Sequence, residues 1–208
     1  METQEIIDFC VELTNGYDES HDVNHHIAVY HNALEILNGL DTTLYQNYFD
    51  IHQMIMYASL LHDTIDSKYK NDLEIKIKKL DNFLIKKIST KSADVKWIID
   101  NISYSKEVKL GYPKNMDPMV QLARDIVSDA DKLEAIGEIG IRRCKQYTIA
   151  SNPDISDEEQ IMTLVIEHCR EKLLKLKDSF IRTNGGMVLA KTRHEFIINF
   201  INQYESNK

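Results

Sequence analysis

The neighbouring residues His62 and Asp63 bring an imidazole and a carboxylate together at the end of an apolar stretch of the sequence. The preceding residues Ile55–Leu61 read IMYASLL, a composition that predicts a buried helix. Burying both polar groups without partners would be costly, and a bound cation would satisfy both. On residue type alone, the pair fits a metal-ligand pair or the satisfied end of a helix equally well.

Three other segments carry groups that could complete a metal site. They are His21–His26 (HDVNHH), Asp129–Asp131 (DAD) and, more weakly, Tyr104–Lys106 (YSK). Two imidazoles and two carboxylates from separate helices suit Mn²⁺, Fe²⁺, Mg²⁺ or Zn²⁺ in six-coordinate geometry, with positions left for water and a substrate oxygen. Such an ion lowers the pKa of bound water and polarises a phosphoryl oxygen. The predicted chemistry is hydrolysis of a phosphate ester or anhydride.

The order of His25, then His62 and Asp63, then Asp131 resembles the H…HD…D pattern of the HD-domain metal-dependent phosphohydrolase superfamily. Further strings resemble one bacterial-type single-domain subfamily, and their joint order is far more specific than any one of them. The strings are HDxxH at 21–25, LLHDxxDxK at 60–68, NISY at 101–104, DADxL at 129–133, GxIGI at 137–141, EKLLxL at 171–176 and AxxRHxF at 190–196. The resemblance covers residues 20 to about 204.

The resemblance implies one divalent ion, with Mn²⁺ or Mg²⁺ favoured, held by ligands from separate helices. The implied ligands are His25, His62, Asp63 and Asp131. Asp129 competes for the last place, but residues two apart on a helix point about 200° away from each other, so both cannot face one ion. The family pattern favours Asp131 and leaves Asp129 a supporting or capping role.

The second His-Asp pair, His21 and Asp22, is expected to hold the loop or to orient a ligand imidazole, because ligating histidines commonly donate their other N–H to a neighbour. His26 and His31 match no motif, and we expect them at the surface or in helix packing.

Two carboxylates are the candidates for catalysis. Asp63 could orient the attacking water as well as bind the ion. Asp66 follows it at helical i+3 spacing and could act as general acid and base, a role that the resemblance also implies. An ion pair with Lys68 or a loop cap is the competing interpretation of Asp66. Lys68 is correspondingly divided between phosphate binding and a solvated surface charge.

Three further cations, Lys106, Arg143 and Lys172, could neutralise substrate phosphates, although structural roles fit them equally well. Arg143 is favoured over Arg142 because it matches the arginine of a GIxR string. One departure concerns Ala28, where the subfamily pattern usually has arginine. Without this arginine the chain lacks one side chain that could form a bidentate hydrogen-bonded contact with phosphate or carboxylate.

The resemblance implies a metal-dependent phosphohydrolase acting on a nucleotide, with a phosphoanhydride of a nucleoside triphosphate as the expected bond. The alternatives are a nucleoside monophosphate phosphomonoesterase and a non-catalytic, metal-stabilised nucleotide-binding module, which the alanine at position 28 favours. A net charge of −8 argues against a nucleic-acid polymer as partner. The start of the chain lacks a signal sequence, and no membrane span is evident, so we expect a cytoplasmic protein. The oligomeric state stays open, a homodimer included.

The surrounding sequence predicts helices throughout. Apolar residues recur at helical spacing, and the 208 residues include only seven glycines and three prolines. We expect an all-α single HD domain over residues 1–208, with eight or nine helices and the metal between them. Asp41–Thr43 predicts the cap of a helix that runs to His62, whereas residues 105–117 predict a loop and 184–186 a turn. The three cysteines predict small buried hydrophobes in a reducing compartment.

Overall fold

The computed structural model describes residues 2–17, 22–40, 48–65 and 72–206. Within these ranges the protein has ten separate helices and no strand, which confirms the all-α prediction. The helices are α1 (Glu2–Leu13), α2 (Val23–Asn38), α3 (Tyr48–Leu61), α4 (Leu73–Ile88), α5 (Ser92–Asp100), α6 (Tyr104–Leu110), α7 (Pro118–Glu134), α8 (Gly137–Ser151), the continuous rod of α9 (Glu158–His168), a π-helical turn (Cys169–Leu173) and α10 (Leu174–Phe180), and α11 (Asn184–Ser206).

Helix α3 is the centre of the domain. Every residue from Met54 to Leu61 is buried, as the apolar stretch before His62 predicted. Helices α2 and α7 pack against α3 and against each other, and α1 and α5 cover its remaining sides. Burial of apolar surface on all sides fixes α3 in place. The mutual packing of α2, α3 and α7 therefore fixes the positions of the residues at the ends of α3 and on the facing sides of α2 and α7.

The C-terminal helices pack on one side of this centre. Helix α11 contacts α2, α7 and α8, and α8 contacts α9. The rod from Glu158 to Phe180 is continuous, and one turn of it is π-helical. Among the residues that the structure describes, no helix is both long enough and apolar enough to cross a membrane.

Two predictions about loops are wrong. Residues 104–110 form α6 rather than part of a loop, because Glu107 is buried there in contact with Arg124 and Arg182. Residues 184–186 form the first turn of α11 rather than a separate turn. The helix α8 was not assigned from the sequence, and the predicted cap at Asp41–Thr43 lies outside the described residues.

A buried ionic cluster ties α6 and the segment before α11 to α7. The Glu107 carboxylate receives hydrogen bonds from Arg124 at 2.8 Å and Arg182 at 2.6 Å, and the Lys132 ammonium lies 3.8 Å away. Arg124 and Lys132 are buried within α7. Burial disfavours the Glu107 carboxylate, but the two arginines outweigh it and hold the pKa of Glu107 below its usual value. The cluster fixes the orientation of α7.

Candidate metal centre

The four predicted ligands converge from three helices. His25 lies in the first turn of α2, His62 and Asp63 follow the last residue of α3, and Asp131 belongs to α7. The ligand atoms of His25, His62 and Asp63 all lie within 4.8 Å of one another. The mutual packing of these three helices brings together residues that are distant in sequence.

The distances among the donor atoms are short. The two histidine Nε2 atoms are 3.2 Å apart, and Asp131 Oδ1 lies 3.5 Å from His25 Nε2 and 3.7 Å from His62 Nε2. Asp63 Oδ2 lies 3.6 Å from His62 Nε2 and 4.0 Å from His25 Nε2. Four electron-rich atoms at such separations repel one another unless a cation or a proton lies among them.

Hydrogen bonding orients the His62 ring. Its Nδ1 lies 2.8 Å from the Ser59 carbonyl oxygen, which can only accept, so Nδ1 carries a proton and Nε2 faces the cluster. Burial disfavours the imidazolium, but the charges of Asp63 and Asp131 outweigh it and raise the pKa of His62 to about 9. The site therefore attracts positive charge at the Nε2 atom of His62.

Asp131 and Asp129 face opposite sides of α7. Asp131 faces both imidazoles, and although burial disfavours its charge, the two histidines hold the pKa of Asp131 well below its usual value. Asp129 is fully buried and accepts hydrogen bonds from the backbone N–H groups of Arg182 and Thr183 and from the Thr183 hydroxyl. Asp129 thus ties the start of α11 to α7 rather than facing the cluster.

The segment before His25 also has a positioning role. Asp22 is the N-cap of α2, and its carboxylate accepts a hydrogen bond of 3.1 Å from the His25 backbone N–H. The adjacent His26 is fully buried, and its ring centroid lies 4.8 Å from that of His62. Sequence reasoning assigned His26 no part in the site, although its position next to a candidate ligand was a usable signal. His21 lies outside the described residues.

Arg143 lies at the edge of the group formed by the four candidate ligands. Its Nη1 atom is 3.2 Å from Nδ1 of His25. The close approach of α8 to the end of α7 makes this contact possible, since a Cβ at Gly140 would lie only 2.2 Å from the Ala135 carbonyl oxygen. Gly137, with φ of +80°, adopts a backbone conformation that favours glycine at the start of α8. The GxIG string therefore places Arg143 beside the candidate ligands.

The other predicted catalytic and substrate-binding residues make different contacts or lie outside the described residues. The Lys106 ammonium donates to the Asp100 carbonyl oxygen at 2.9 Å, and the Lys172 ammonium lies 4.9 Å from the centre of the Tyr104 ring. These contacts are compatible with structural roles. Asp66 and Lys68 lie outside the described residues. Ala28 is half-buried in α2, about one turn after His25.

The donor set fits a divalent cation. Metal–ligand bonds of about 2.1 Å in an octahedral site separate neighbouring donor atoms by about 3 Å and opposite ones by about 4.2 Å. The five donor–donor distances, from 3.2 to 4.0 Å, fall within that range. Two imidazoles with two carboxylates are ligands that Mn²⁺, Mg²⁺, Fe²⁺ and Zn²⁺ all accept, so the donors agree with a metal but do not choose among these ions.

The chain is similar to several known proteins over most of its length, although no protein-family model matches it. The uncharacterized protein YpgQ of Bacillus subtilis (strain 168) is 31% identical over 152 residues, which are 72% of this chain and 70% of YpgQ.

Two solved structures have the same fold. The crystal structure of Bacillus subtilis YpgQ in complex with ADP superposes with a TM-score of 0.69 and 25% identity, covering 99% of this chain and 97% of that chain. The crystal structure of an HD-superfamily hydrolase from Bacillus thuringiensis gives a TM-score of 0.68 and 26% identity, covering 99% and 96%. These similarities extend over the helices that carry all four candidate ligands.

Proposed function

Because this chain belongs to the HD-domain metal-dependent phosphohydrolase superfamily, we propose that it hydrolyses a phosphoanhydride bond of a nucleoside triphosphate. The convergence of His25, His62, Asp63 and Asp131 within a few ångströms is the observation that supports this proposal most strongly. The complex of YpgQ with ADP supports a nucleotide as the ligand.

In this proposal the four residues hold one divalent cation, and Mn²⁺ or Mg²⁺ is favoured. Such an ion, when bound, lowers the pKa of a coordinated water and polarises a phosphoryl oxygen. The fold of HD hydrolases implies divalent metal binding, and the His-His-Asp cluster of this chain agrees with it. The identity of the ion is part of the proposal.

In the proposal, the side chains around the four ligands bind the substrate phosphates, orient the attacking water and transfer protons. Arg143, which lies beside His25, binds a substrate phosphate and offsets the charge that develops during cleavage. The Asp63 side chain, 38% exposed, faces both the cluster and solvent, so that it can orient the attacking water. Asp66 is the proposed general acid and base, and Lys68, Lys106 and Lys172 are the further proposed phosphate contacts.

A product analysis tests the reaction. The protein is incubated with nucleoside mono-, di- and triphosphates in Mn²⁺ or Mg²⁺, and the phosphorus products are separated. Pyrophosphate and a nucleoside monophosphate from a triphosphate support the proposal. Inorganic phosphate from a monophosphate, without attack on the triphosphate, contradicts it and identifies a phosphomonoesterase.

The matched variants are Asp63→Ala and Asp154→Ala. Asp154 is exposed and lies far along the chain in the segment between α8 and α9, so its loss should leave turnover unchanged. Asp63→Ala should abolish turnover while its circular dichroism remains helical. Equal turnover by both variants would remove Asp63 from the mechanism.

One observation favours a second function, a nucleotide-binding module without turnover. Ala28 stands where the subfamily pattern usually has arginine, so one side chain that could bind a substrate phosphate is absent three positions after His25. This alternative predicts metal-dependent nucleotide binding with no product from any nucleotide in either metal. Turnover that Asp63→Ala abolishes would exclude it.

A further inference from the structure

A polar network outside the four candidate ligands joins α2, α7 and α11. The Asn32 side-chain amide in α2 donates a hydrogen bond of 2.8 Å to the Glu134 carboxylate in α7. Arg193 in α11 donates to the Asn32 side-chain oxygen at 2.8 Å and to the same Glu134 oxygen at 3.4 Å. Asn32 and Glu134 are both buried. Each of the three helices thus contributes one side chain to the network.

The network also reaches the backbone of α7 on both sides of Asp131. The Asn32 amide nitrogen donates at 3.4 Å to the carbonyl oxygen of Ala130, the residue directly before Asp131. Arg193 Nη1 donates at 2.6 Å to the carbonyl oxygen of Leu133, two positions after Asp131. The two side chains therefore hold the backbone segment that carries a candidate ligand, and not only a neighbouring side chain.

The network and the metal centre lie on the same pair of helices. Asn32 follows His25 by seven positions, about two helical turns, so both side chains share one face of α2. Glu134 follows Asp131 at i+3, so these two are neighbours on the surface of α7. The same helices thus carry the contact of Asn32 with Glu134 and the approach of His25 Nε2 to Asp131 Oδ1 at 3.5 Å. Fixing the first contact constrains the second.

Hydrogen bonds define the placement of α7 more sharply than apolar packing does. Apolar contacts are non-directional, whereas a hydrogen bond depends on both distance and angle. A slide or rotation of α7 against α2 would leave the buried Glu134 carboxylate without its partners, which is costly. Metal coordination needs this accuracy, because ligand distances vary by only about 0.2 Å around their preferred values.

We propose that Arg193 and Asn32 are positioning residues of the metal centre, which set the place of Asp131 relative to His25. The inference rests on the proposed function, because it takes these ligands to hold a divalent ion. Arg193 acts on that ion through the backbone of α7 rather than by direct contact. The proposal also gives a physical reason for the arginine of the AxxRHxF string at 190–196.

Mn²⁺ binding isotherms on the full chain test the proposal, at a temperature at which circular dichroism shows each variant to be folded. Arg193→Met keeps an unbranched apolar side chain but removes every donor. The Kd for Mn²⁺ should rise about 10- to 100-fold, the range found for residues that orient metal ligands. Asn32→Ala breaks the network from α2 and should raise the Kd in the same way. Arg193→Lys keeps the charge and can reach one acceptor, so its Kd should be intermediate even where the other variants fail to fold.

Leu84→Ala separates positioning from a general loss of stability. Leu84 is buried in α4, which packs against α5, so its truncation should lower Tm and leave the Kd for Mn²⁺ unchanged. Folded Arg193 and Asn32 variants with a lowered Tm and the wild-type Kd would overturn the proposal, since the network would then only stabilise the fold. An equal rise of the Kd in Leu84→Ala would overturn it as well. Failure of the wild-type protein to bind Mn²⁺ would instead overturn the proposed metal site itself.

Discussion

The Nε2 atoms of His25 and His62 lie 3.2 Å apart, although 37 positions separate the two residues in the sequence. Nitrogen lone pairs do not approach so closely without a cation or a proton between them. The Ser59 carbonyl fixes the Nδ1 proton of His62, so the short distance concerns the nitrogen that is available for coordination. The central helices α2 and α3 therefore hold the two rings in an arrangement that agrees with one shared ion.

Arg143 is expected to bind the substrate rather than only to stabilise the fold. We predict that Arg143→Ala weakens nucleotide affinity by about 10- to 100-fold, because a charge-assisted hydrogen bond contributes about 1.5–3 kcal/mol. Arg142→Ala is the matched control, since the neighbouring Arg142 carries the same charge but is exposed. Isothermal titration with a nucleotide in Mn²⁺ measures both variants, and equal affinities would contradict the role.

Asp66 is expected to move a proton. Asp66→Asn should lower kcat by about 10²- to 10⁴-fold, the usual contribution of general acid–base catalysis, while metal content stays at the wild-type level. Turnover and elemental analysis of the same preparations separate this effect from loss of the ion. A variant with normal kcat would leave Asp66 the role of loop cap or ion-pair partner that its sequence also allowed.

The ionic cluster around Glu107 predicts a pH-dependent stability. The pKa of Glu107 is lower in the folded protein than its ordinary value of 4.5, so the carboxylate stabilises the fold above that pH and loses its contribution as the pH falls through the lowered value. Glu107→Gln should cost about 3–5 kcal/mol at pH 7, because it removes the carboxylate that pairs with the buried Arg124 and lies beside the buried Lys132. Urea unfolding at several pH values should show this difference shrinking below pH 4.5. A difference that is constant with pH would contradict the assignment.

The start of α11 depends on the absence of a side chain at Gly186. A Cβ there would lie 2.6 Å from Asp129 Oδ2 and 2.8 Å from the Thr183 hydroxyl oxygen. Gly186→Ala should therefore destabilise the protein by about 1–3 kcal/mol, as overpacking of a tight core site does. Gly39→Ala is the control, because its Cβ would meet only ordinary contacts at 3.5 and 3.6 Å. Equal free energies of unfolding in urea would show that Asp129 does not constrain this helix.

The sequence predicted the parts of the site that have a local signature. Helical periodicity predicted helices throughout, including the one that ends at His62, and the resemblance to the HD-domain superfamily implied His25, His62, Asp63 and Asp131, which the structure brings together. The opposite directions of Asp129 and Asp131 followed from helix geometry alone. Their roles as ligands stay predictions until a metal is measured.

The parts that were missed depend on tertiary contacts. Helix α6 was read as loop because Gly111, Pro113 and Asn115 dominate the local signal, whereas the burial of Glu107 against Arg124 is visible only in the folded chain. The glycines at 185 and 186 predicted a turn, but the contact of Asp129 with Thr183 makes them the first turn of α11. A single sequence contains no local pattern for such long-range pairs.

Metal binding should also stabilise the fold. An ion at about 100 times its dissociation constant adds about 2.7 kcal/mol, which corresponds to a rise in Tm of about 5–10 °C for a chain of this size. Thermal unfolding with and without Mn²⁺ measures the shift, and a chelator should reverse it. The control His31→Ala, an exposed position in α2, should keep the full shift.

The central claim is that the four converging residues hold one divalent ion, and a Mn²⁺ binding isotherm tests it most directly. We predict one ion per chain for the wild-type protein and for His31→Ala, and no measurable binding for a folded His62→Ala variant. Binding of Mn²⁺ to His62→Ala with wild-type affinity and stoichiometry would contradict the account.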